Sequence, residues 1–192
     1  MTQPTDRQLI DETLAGNQRA FAHLVARHSP QVATTIISML GKGMAADDVG
    51  QEVFIRLYRS LPNFRHESSL STYLTRIAIN LCLNELKRRR LQQQRFRFLS
   101  FSNNSNDTDE TPSDLQIPDL NQNYAEQLAD QELLHKALQN LDDNLKAVVV
   151  LRLVEGYSTQ ETADLLHIPL GTVLSRLARA QTKLRQLLHS EQ

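Results

Sequence analysis

The sequence predicts an all-α protein made of two small helical domains joined by a flexible polar linker. In both halves of the chain, apolar residues recur every three or four positions between signals that start and stop helices. The stretch from about Gln92 to Asn123 is instead polar, acidic and poor in core residues. We therefore expect a first domain at 1–95, a linker at 96–123 and a second domain at 124–192.

Charge is unevenly distributed along the 192 residues, although the formal net charge is only -1. Residues 1–91 carry 12 basic and 8 acidic side chains, whereas residues 92–124 carry 2 and 5. Residues 125–192 carry 7 and 9, and four of those seven basic residues fall in the last predicted helix. The near-zero average hides two basic surfaces and an acidic middle, so it does not argue against nucleic-acid binding.

The sequence also limits compartment and chemistry. The single cysteine, Cys82, excludes an intrachain disulfide and favours a reducing compartment. The N-terminus lacks the segments of a signal peptide, and no apolar run approaches the ~20 residues of a membrane span. We expect a soluble, cytoplasmic protein. We find no nucleophile with its base, no metal-ligand cluster and no phosphate-loop spacing, so we expect no enzyme, metal or cofactor.

Two helices are predicted before residue 43. Asp6 is the expected cap of the first helix, which should stop near Gly16. The second helix should begin at about Asn17 and end at the glycine pair around Lys42. Pro30 lies inside it and is expected to bend or interrupt it.

Two further helices complete the first predicted domain. The third should span about 46–61, and its predicted apolar stripe consists of Val49, Val53, Phe54, Leu57 and Tyr58. A polar loop at 62–69 separates it from a fourth helix, which runs from about Leu70 to Arg90 or beyond. Cys82 lies on the core side of that helix and is interpreted as a small buried hydrophobe.

The opposite side of the fourth helix carries a mixed polar and aromatic stripe, followed by a basic cluster at 87–90. The stripe consists of Tyr73, Arg76, Asn80, Asn84 and Lys87. Aromatic rings stack on unpaired bases, amides hydrogen-bond base edges, and basic residues hold phosphates. The alternative is a solvated polar face whose basic end suits the helix dipole. The residues alone leave both interpretations open.

The second predicted domain ends in a helix-turn-helix. A helical pattern resumes at about Tyr124, and Asp142 should cap a further helix that stops at Gly156. Residues 148–150 are β-branched, but the cap and the glycine favour a helix over a strand. Ser158 and Glu161 form a capping box that starts the next helix, which must end before a proline.

The last helix of this motif has a polar face with a positive charge. Its members, which share one arc of a helical wheel away from the apolar stripe, are Thr172, Ser175, Arg176, Arg179 and Lys183. Such a face suits a DNA major groove and its phosphates. The alternative is a solvated amphipathic helix with a basic side.

Residues 47–59 and 64–80 resemble region 2, and residues 141–187 resemble region 4, of an extracytoplasmic-function (ECF) sigma factor of bacterial RNA polymerase. The resemblance implies a region 2 bundle followed by a region 4 helix-turn-helix. It also implies a promoter-specific initiation factor that binds core polymerase and opens the -10 region. The remaining alternative is a free-standing helix-turn-helix regulator that acts without core polymerase.

The resemblance implies three binding surfaces. The third helix would contact the clamp helices of the largest polymerase subunit through Asp48, Gln51, Glu52, Arg56 and Arg59. The loop at 64–69 would capture a base flipped from the -10 element, beside the unwound strand. The implied -10 residues are Phe64, Arg65, His66, Glu67, Ser68, Ser69, Tyr73, Arg76, Asn80, Asn84, Lys87 and Arg88. The implied -35 residues are Thr172, Leu174, Ser175, Arg176, Ala178, Arg179 and Lys183.

Three positions depart from the usual family pattern. Tyr73 stands where tryptophan is common, Leu174 where a basic residue is frequent, and Ala178 where a larger residue is frequent. Our hypothesis is that Leu174 and Ala178 touch thymine methyl groups. Hydrogen bonds to bases and phosphates would then fall to the polar residues of the same helix.

The resemblance implies further partners. These are the flap of the second-largest polymerase subunit, promoter DNA and a sequestering anti-sigma factor, with stress-response control. The linker would thread toward the RNA exit path of the polymerase. We also hypothesise that the two domains close on each other, or on the inhibitor, through their polymerase- and DNA-facing surfaces.

Overall fold

The computed structural model describes residues 4–102, 133 and 136–190, with the backbone alone described at 97–102 and 188–190. Within these residues all regular structure is helical, as predicted. The α-helices are α1 (Asp6–Leu14), α2 (Gln18–Leu40), α3 (Met44–Ser60), α4 (Leu70–Ser102), α5 (Asp143–Val149), α6 (Thr159–Leu166) and α7 (Leu170–Ser190). We call α1–α4 the N-terminal domain and residues 136–190 the C-terminal domain. Most of the predicted linker and the predicted helix start near Tyr124 lie outside the described residues.

The first helix is capped one residue before the predicted position. Thr5 is the N-cap: its hydroxyl accepts a hydrogen bond from the amide of Gln8, while the Gln8 side chain accepts one from the Thr5 amide at 2.8 Å. The prediction that Asp6 caps this helix is therefore wrong, because this reciprocal box already satisfies the helix end. The Asp6 carboxylate instead accepts from Arg27 at 2.6 Å and lies 3.0 Å from the His28 ring.

The second helix is the centre of the N-terminal domain and contacts α1, α3 and α4. It begins at Gln18, close to the predicted start at about Asn17, and the Asn17 side chain caps it by accepting hydrogen bonds from the amides of Arg19 and Ala20. The helix is continuous through Pro30, so the predicted interruption does not occur. Proline removes one backbone hydrogen bond, and packing on three neighbouring helices offsets that cost. Gly41 ends the helix with a φ of 82°, a conformation that favours glycine.

The third and fourth helices differ from prediction at three points. Helix α3 begins at Met44, two residues earlier than expected. Tyr58, predicted to belong to its apolar stripe, is 54% exposed. Helix α4 continues to Ser102, beyond Gln92, where regularity was expected to fail. Leucine, glutamine and arginine after position 90 are good helix formers, so local propensity carries the helix onward without a core-facing pattern.

The C-terminal domain has the predicted helix-turn-helix. Asp142 is the N-cap of α5, and residues 148–150 are helical and buried, not a strand. A π-helix, Val150–Val154, follows α5 directly and precedes Gly156, which has a φ of 77°. His167 closes α6 in the left-handed conformation, and α7 starts immediately after Pro169.

One buried core joins the two domains. Leu24, Ile36 and Leu74 of the N-terminal domain share a continuous apolar cluster with Val150 and Leu151 of the C-terminal domain. Smaller clusters hold α5, α6 and α7 together. The polar faces of α4 and α7 are thereby left on the surface. Within the part of the chain that is described, no helix has the length and hydropathy needed to cross a membrane.

Candidate nucleic-acid interface

Phe64, Tyr73 and Arg76 form the centre of a small open pocket at the start of α4. The Phe64 and Tyr73 ring centroids are 5.0 Å apart, and the Arg76 guanidinium lies 5.5 Å from the centroid of the Tyr73 ring. The pocket encloses about 140 Å³ and is lined by Asn63, Phe64, Arg65, Glu67, Ser68, Tyr73 and Arg76. It combines aromatic faces with hydrogen-bonding groups of both kinds, which is what binding an unstacked base requires.

Local structure holds this pocket in place. A 3-10 turn, Leu61–Asn63, follows α3 and anchors the loop through the buried Leu61 side chain. His66 has a φ of 56° and packs its ring against Phe64 at 4.8 Å between centroids. The Ser69 hydroxyl accepts a hydrogen bond from the amide of Thr72 at 3.1 Å, so it caps α4. All six predicted loop residues therefore lie at or next to the pocket.

The remaining predicted -10 residues continue along α4. Asn80, Asn84 and Lys87 are exposed. Arg88 is exposed as well, but its guanidinium donates to Glu85 at 2.8 Å. This hydrogen bond lowers the pKa of Glu85 and raises that of Arg88. The stripe predicted from the sequence is present, and Arg88, in the basic cluster at its end, is partly neutralised.

Glu85 is a residue that the sequence analysis missed. It also accepts a hydrogen bond from Arg89 at 3.0 Å, so two of the four residues at 87–90 pair with it. The signal was available, because a glutamate three and four residues before two arginines forms ion pairs on one helix face.

The exposed face of α3 holds the predicted polymerase contacts. Asp48, Gln51 and Arg59 are exposed, and Arg56 donates to Glu52 at 2.7 Å. The face also includes two apolar residues that the sequence analysis did not assign to it. Ile55 is 43% exposed, and the exposed Tyr58 ring packs edge-on against Phe21 at 5.0 Å. Apolar groups within a charged rim are typical of protein–protein interfaces.

The capping box of the helix-turn-helix has the predicted geometry. The Ser158 hydroxyl accepts a hydrogen bond from the amide of Glu161 at 3.2 Å, and the Glu161 carboxylate accepts one from the Ser158 amide at 2.7 Å. These hydrogen bonds lower the pKa of Glu161. The box fixes where α6 begins and therefore where the turn and α7 follow.

Helix α7 packs one side into the apolar core and exposes the other side to solvent. Val173 and Ala180 are fully buried, whereas Leu174 is 50% exposed. The polar face is only partly occupied by internal contacts: Arg179 donates to the carbonyl of Ser175. The other predicted -35 residues lie on the outside of the helix, where Ala178 is exposed and Thr172 and Arg176 are half-buried. Lys183, also half-buried, lies 3.4 Å from the Asp142 carboxylate.

Comparison with protein families gives two matches in the predicted order. The model described as sigma-70 region 2 matches residues 24–92, and the model described as sigma-70 region 4 matches residues 131–184. The first includes the α3 face and the pocket of Phe64, Tyr73 and Arg76. The second includes the helix-turn-helix.

Relatives resemble the chain along its whole length. The RNA polymerase sigma-H factor of Pseudomonas aeruginosa is 32% identical, covering 98% of this chain and 96% of its own length. The ECF RNA polymerase sigma-E factor of Haemophilus influenzae is 32% identical over 93% of each chain. A solved structure of CnrH in complex with the cytosolic domain of CnrY aligns over 97% of this chain and 99% of that chain, with a TM-score of 0.63 and 27% identity.

The fold is shared more widely still. The sigma factor RpoE of Bartonella quintana, solved in complex with the anti-sigma factor NepR, aligns with a TM-score of 0.59 and 22% identity over 90% of this chain and 98% of that chain. Both predicted sigma regions are thus matched by family models, and the relatives that align along the whole chain are RNA polymerase sigma factors. This chain belongs to the ECF sigma factors of bacterial RNA polymerase.

Proposed function

We propose that this sigma factor binds core RNA polymerase, directs it to promoters with -35 and -10 elements, and opens the -10 region by holding flipped bases. The observation that carries the proposal is the pocket of Phe64, Tyr73 and Arg76, which continues into the exposed polar stripe of α4. A free-standing regulator has no need of such a pocket for single-stranded DNA. The proposal includes the division into a -10 domain at 1–95, a linker at 96–123 and a -35 domain at 124–192.

At the -10 element, the pocket offsets the cost of unstacking a base. Removing a base from the duplex costs a few kcal/mol, and stacking on an aromatic side chain returns about 1–3 kcal/mol. Tyr73 and Phe64 supply the rings, and Arg76 adds a positive charge beside them. Glu67 and Ser68 offer an acceptor and a hydroxyl to base edges. Farther along the helix, Asn80, Asn84 and Lys87 would follow the unwound strand.

At the -35 element, α7 would enter the major groove. Ser175, Arg176 and Arg179 would hydrogen-bond bases and phosphates, while the exposed Leu174 and Ala178 would contact thymine methyl groups. Lys183 would remain near the phosphates at the far end of the helix. Base reading therefore divides between polar and apolar residues of one surface.

The polymerase contacts follow from the α3 face. We propose that Ile55 and Tyr58 form the apolar centre of the contact with the clamp helices, within a rim of charged residues. That rim is Asp48, Gln51, Glu52, Arg56 and Arg59. The C-terminal domain would contact the flap of the second-largest subunit. We further propose a cytoplasmic, non-catalytic protein. We propose that an anti-sigma factor sequesters it, since a sigma factor of the same fold was solved in complex with the anti-sigma factor NepR.

The proposal is tested by transcription from a pool of random promoters with purified core polymerase, with and without this protein. We expect protein-dependent transcripts that share a -35 and a -10 sequence at fixed spacing. Tight duplex binding without core polymerase, and no new transcripts, would instead identify a free-standing regulator.

The -35 assignment has its own test in Arg176→Ala. We expect weaker -35 binding and a salt dependence reduced by about one phosphate contact. Arg185→Ala is the matched control, because Arg185 is exposed nine residues along the same helix, on the opposite side of it. If Arg176→Ala behaves like the control, the base-reading surface lies elsewhere.

A further inference from the structure

Helix α3 carries a row of exposed residues along one side. Positions 44, 48, 51, 55 and 58 follow one another at steps of four and three, the spacing that keeps side chains on one seam of a helix. Together with position 59 they fall within about 100° of a helical wheel. We call this row the α3 seam, and its members are Met44, Asp48, Gln51, Ile55, Tyr58 and Arg59.

Three large apolar side chains of the α3 seam are left uncovered by the chain. Met44 is 81% exposed, Ile55 is 43% exposed and Tyr58 is 54% exposed. The Tyr58 ring packs edge-on against Phe21 at 5.0 Å between centroids, which orients the ring without burying it. Single exposed apolar residues are normal on a protein surface, but three along one seam provide a surface on which a partner helix can pack.

The α3 seam is acidic at one end and basic at the other. Asp48 and Arg59 are both exposed, and neither forms an ion pair with another described residue. Arg56 pairs with Glu52 at 2.7 Å within the helix, so those two charges largely cancel. The helix dipole favours the same polarity, but it acts on every side of a helix. Asp48 and Arg59 are eleven residues apart and lie within about 20° of each other on the wheel, on the same side as the apolar residues.

Such a seam is complementary to a second copy of itself that runs in the opposite direction. Asp48 and Arg59 lie at equal distances on either side of the point between Val53 and Phe54. A two-fold axis level with that point therefore brings Asp48 of each copy against Arg59 of the other, so the charge pair is formed twice. Ile55 lies next to the axis, where the two copies of this side chain meet. A parallel pair would instead place like charges together at both ends.

The rest of the chain leaves the α3 seam accessible. Among the described residues, none of the hydrogen bonds between the N-terminal and C-terminal domains involves α3. Closure of the domains through the polymerase-facing surface, as hypothesised from the sequence, is therefore absent from these contacts. A second copy can reach the seam without any rearrangement of the chain.

We propose that two copies of this chain pair through their α3 seams, antiparallel about a two-fold axis, when no polymerase is bound. The inference rests on the proposed function in one respect, because the α3 seam includes residues proposed to contact the clamp helices. A second copy and core polymerase therefore compete for one surface. The seam is small, so the dimer is weak and reversible, and it holds surplus sigma factor in a form that does not bind core.

The first test measures the mass of the free, full-length chain by sedimentation equilibrium, without polymerase, at about 1–300 µM protein. We expect the average mass to rise with concentration from that of one chain toward that of two. A single-chain mass at every concentration would overturn the proposal.

Charge reversal tests which residues pair. Asp48→Arg and Arg59→Asp each place like charges opposite one another, so each should weaken the dimer at least about tenfold. An equimolar mixture of the two variants should restore it, because each reversed residue then meets an opposite charge on the other variant. Asp11→Arg is the matched control, since it makes the same charge change at an exposed position of α1 and should leave the dimer unchanged.

Circular dichroism verifies that each variant keeps its helices. A mixture that stays as weak as the single variants, or an equal loss in the Asp11→Arg control, would overturn pairing through the α3 seam.

A distance measurement tests the direction of pairing with the charges intact. One spin label is attached at Met44→Cys in a Cys82→Ala background and measured by pulsed dipolar spectroscopy. Antiparallel pairing about the stated axis places the two labels at opposite ends of the helix pair, about 30 Å apart at 1.5 Å per residue. A parallel pair would bring the two helix starts to about 10 Å, and that result would overturn the antiparallel arrangement.

Core polymerase supplies the last readout. One equivalent of core should give a complex with one copy of the chain and abolish the distance between the Met44 labels. Two copies on each polymerase with that distance retained would overturn the competition and leave the proposed function intact. Failure of the unmodified chain to bind core would refute the proposed function, while the mass of the free chain would still decide whether the dimer forms.

Discussion

Tyr73 lies between Phe64 and Arg76, at the centre of the pocket that we propose binds a -10 base. We predict that Tyr73→Ala lowers promoter opening by about 5- to 150-fold, which corresponds to the loss of one stacked base at roughly 1–3 kcal/mol. Tyr73→Phe, which keeps the ring, is the control. Permanganate reactivity of -10 thymines measures opening directly.

A template with a premelted -10 bubble separates base capture from simple packing. If Tyr73 holds a flipped base during opening, the bubble should recover most of the lost transcription. An equal defect on both templates would mean that Tyr73 only supports the loop.

Cys82 is fully buried, and that burial raises the pKa of its thiol to about 12. The thiolate is the reactive species, so at pH 8 its fraction falls about 1000-fold relative to a thiol with the ordinary value. We predict that iodoacetamide modifies the native chain at least that much more slowly than the chain unfolded in guanidinium. Native and unfolded rates within tenfold of each other would show that the thiol is accessible.

Residues whose role depends on local pattern were predictable from the sequence, and those that act across the fold were not. The polar members of the α7 surface and the pocket residues followed from helix periodicity and from the family resemblance. The contacts of Lys146 with the Met39 carbonyl and of Glu155 with the Thr35 hydroxyl could not be predicted in this way. These partners lie 107 and 120 positions away along the chain. The one signal for Lys146 was its position beside an apolar helical run, which indicates a buried charge but does not identify the group that the charge contacts.

At the scale of elements, helix α6 depends on its capping box. The hydrogen bonds from Ser158 lower the pKa of Glu161, so they contribute stability that is present above the ordinary value near 4.5 and is lost as the pH falls through the lowered value. We predict that Glu161→Gln is less stable than the unmodified chain at pH 7 and that this difference is lost as the pH falls through the lowered pKa of Glu161. Urea unfolding of both chains over a pH series from 7 into the acid range measures the difference.

Asp164→Asn, on the same exposed helix, should show no comparable pH dependence. A Glu161→Gln deficit that persists at acid pH would mean that the box acts through geometry and not through charge.

Element boundaries show where local signals compete. Thr5 and Asp6 are both good cap residues, and the glutamine three positions after Thr5 decided between them. The end of α4 was left open at Arg90 or beyond, and the helix continues to Ser102, because the loss of an apolar stripe does not stop a helix whose residues favour it. The start of α7 was predicted correctly because the residue before Pro169 is disfavoured in the α conformation, so one helix must end before the proline and the next must begin after it.

At the scale of the whole molecule, one apolar cluster joins the N-terminal and C-terminal domains. We therefore predict that the unmodified chain unfolds in urea as one cooperative transition by both circular dichroism and tyrosine fluorescence. A Lys146→Met, Glu155→Ala variant loses the hydrogen bonds of these side chains with Met39 and Thr35 of the N-terminal domain. It should unfold in two steps, because the domains no longer support each other. Two separate transitions in the unmodified chain would contradict a shared core.

The all-α architecture and the two-domain order were predictable from periodicity and composition. The relative placement of the domains was not, because the contacts that determine it are polar and specific to Gln31, Thr35 and their partners. An alternation of apolar and polar positions shows that a face is buried, but it does not show against which element.

Among the described residues, the outward side chains of α7 make none of the hydrogen bonds between the two domains. The residues proposed to read the -35 element and those that hold the domains together are therefore separate sets of side chains. A designer could exchange Leu174, Ser175 and Ala178 for those of another family member and retarget transcription while the packing of the domains stays intact. The chain is in this sense a modular starting point for synthetic gene circuits.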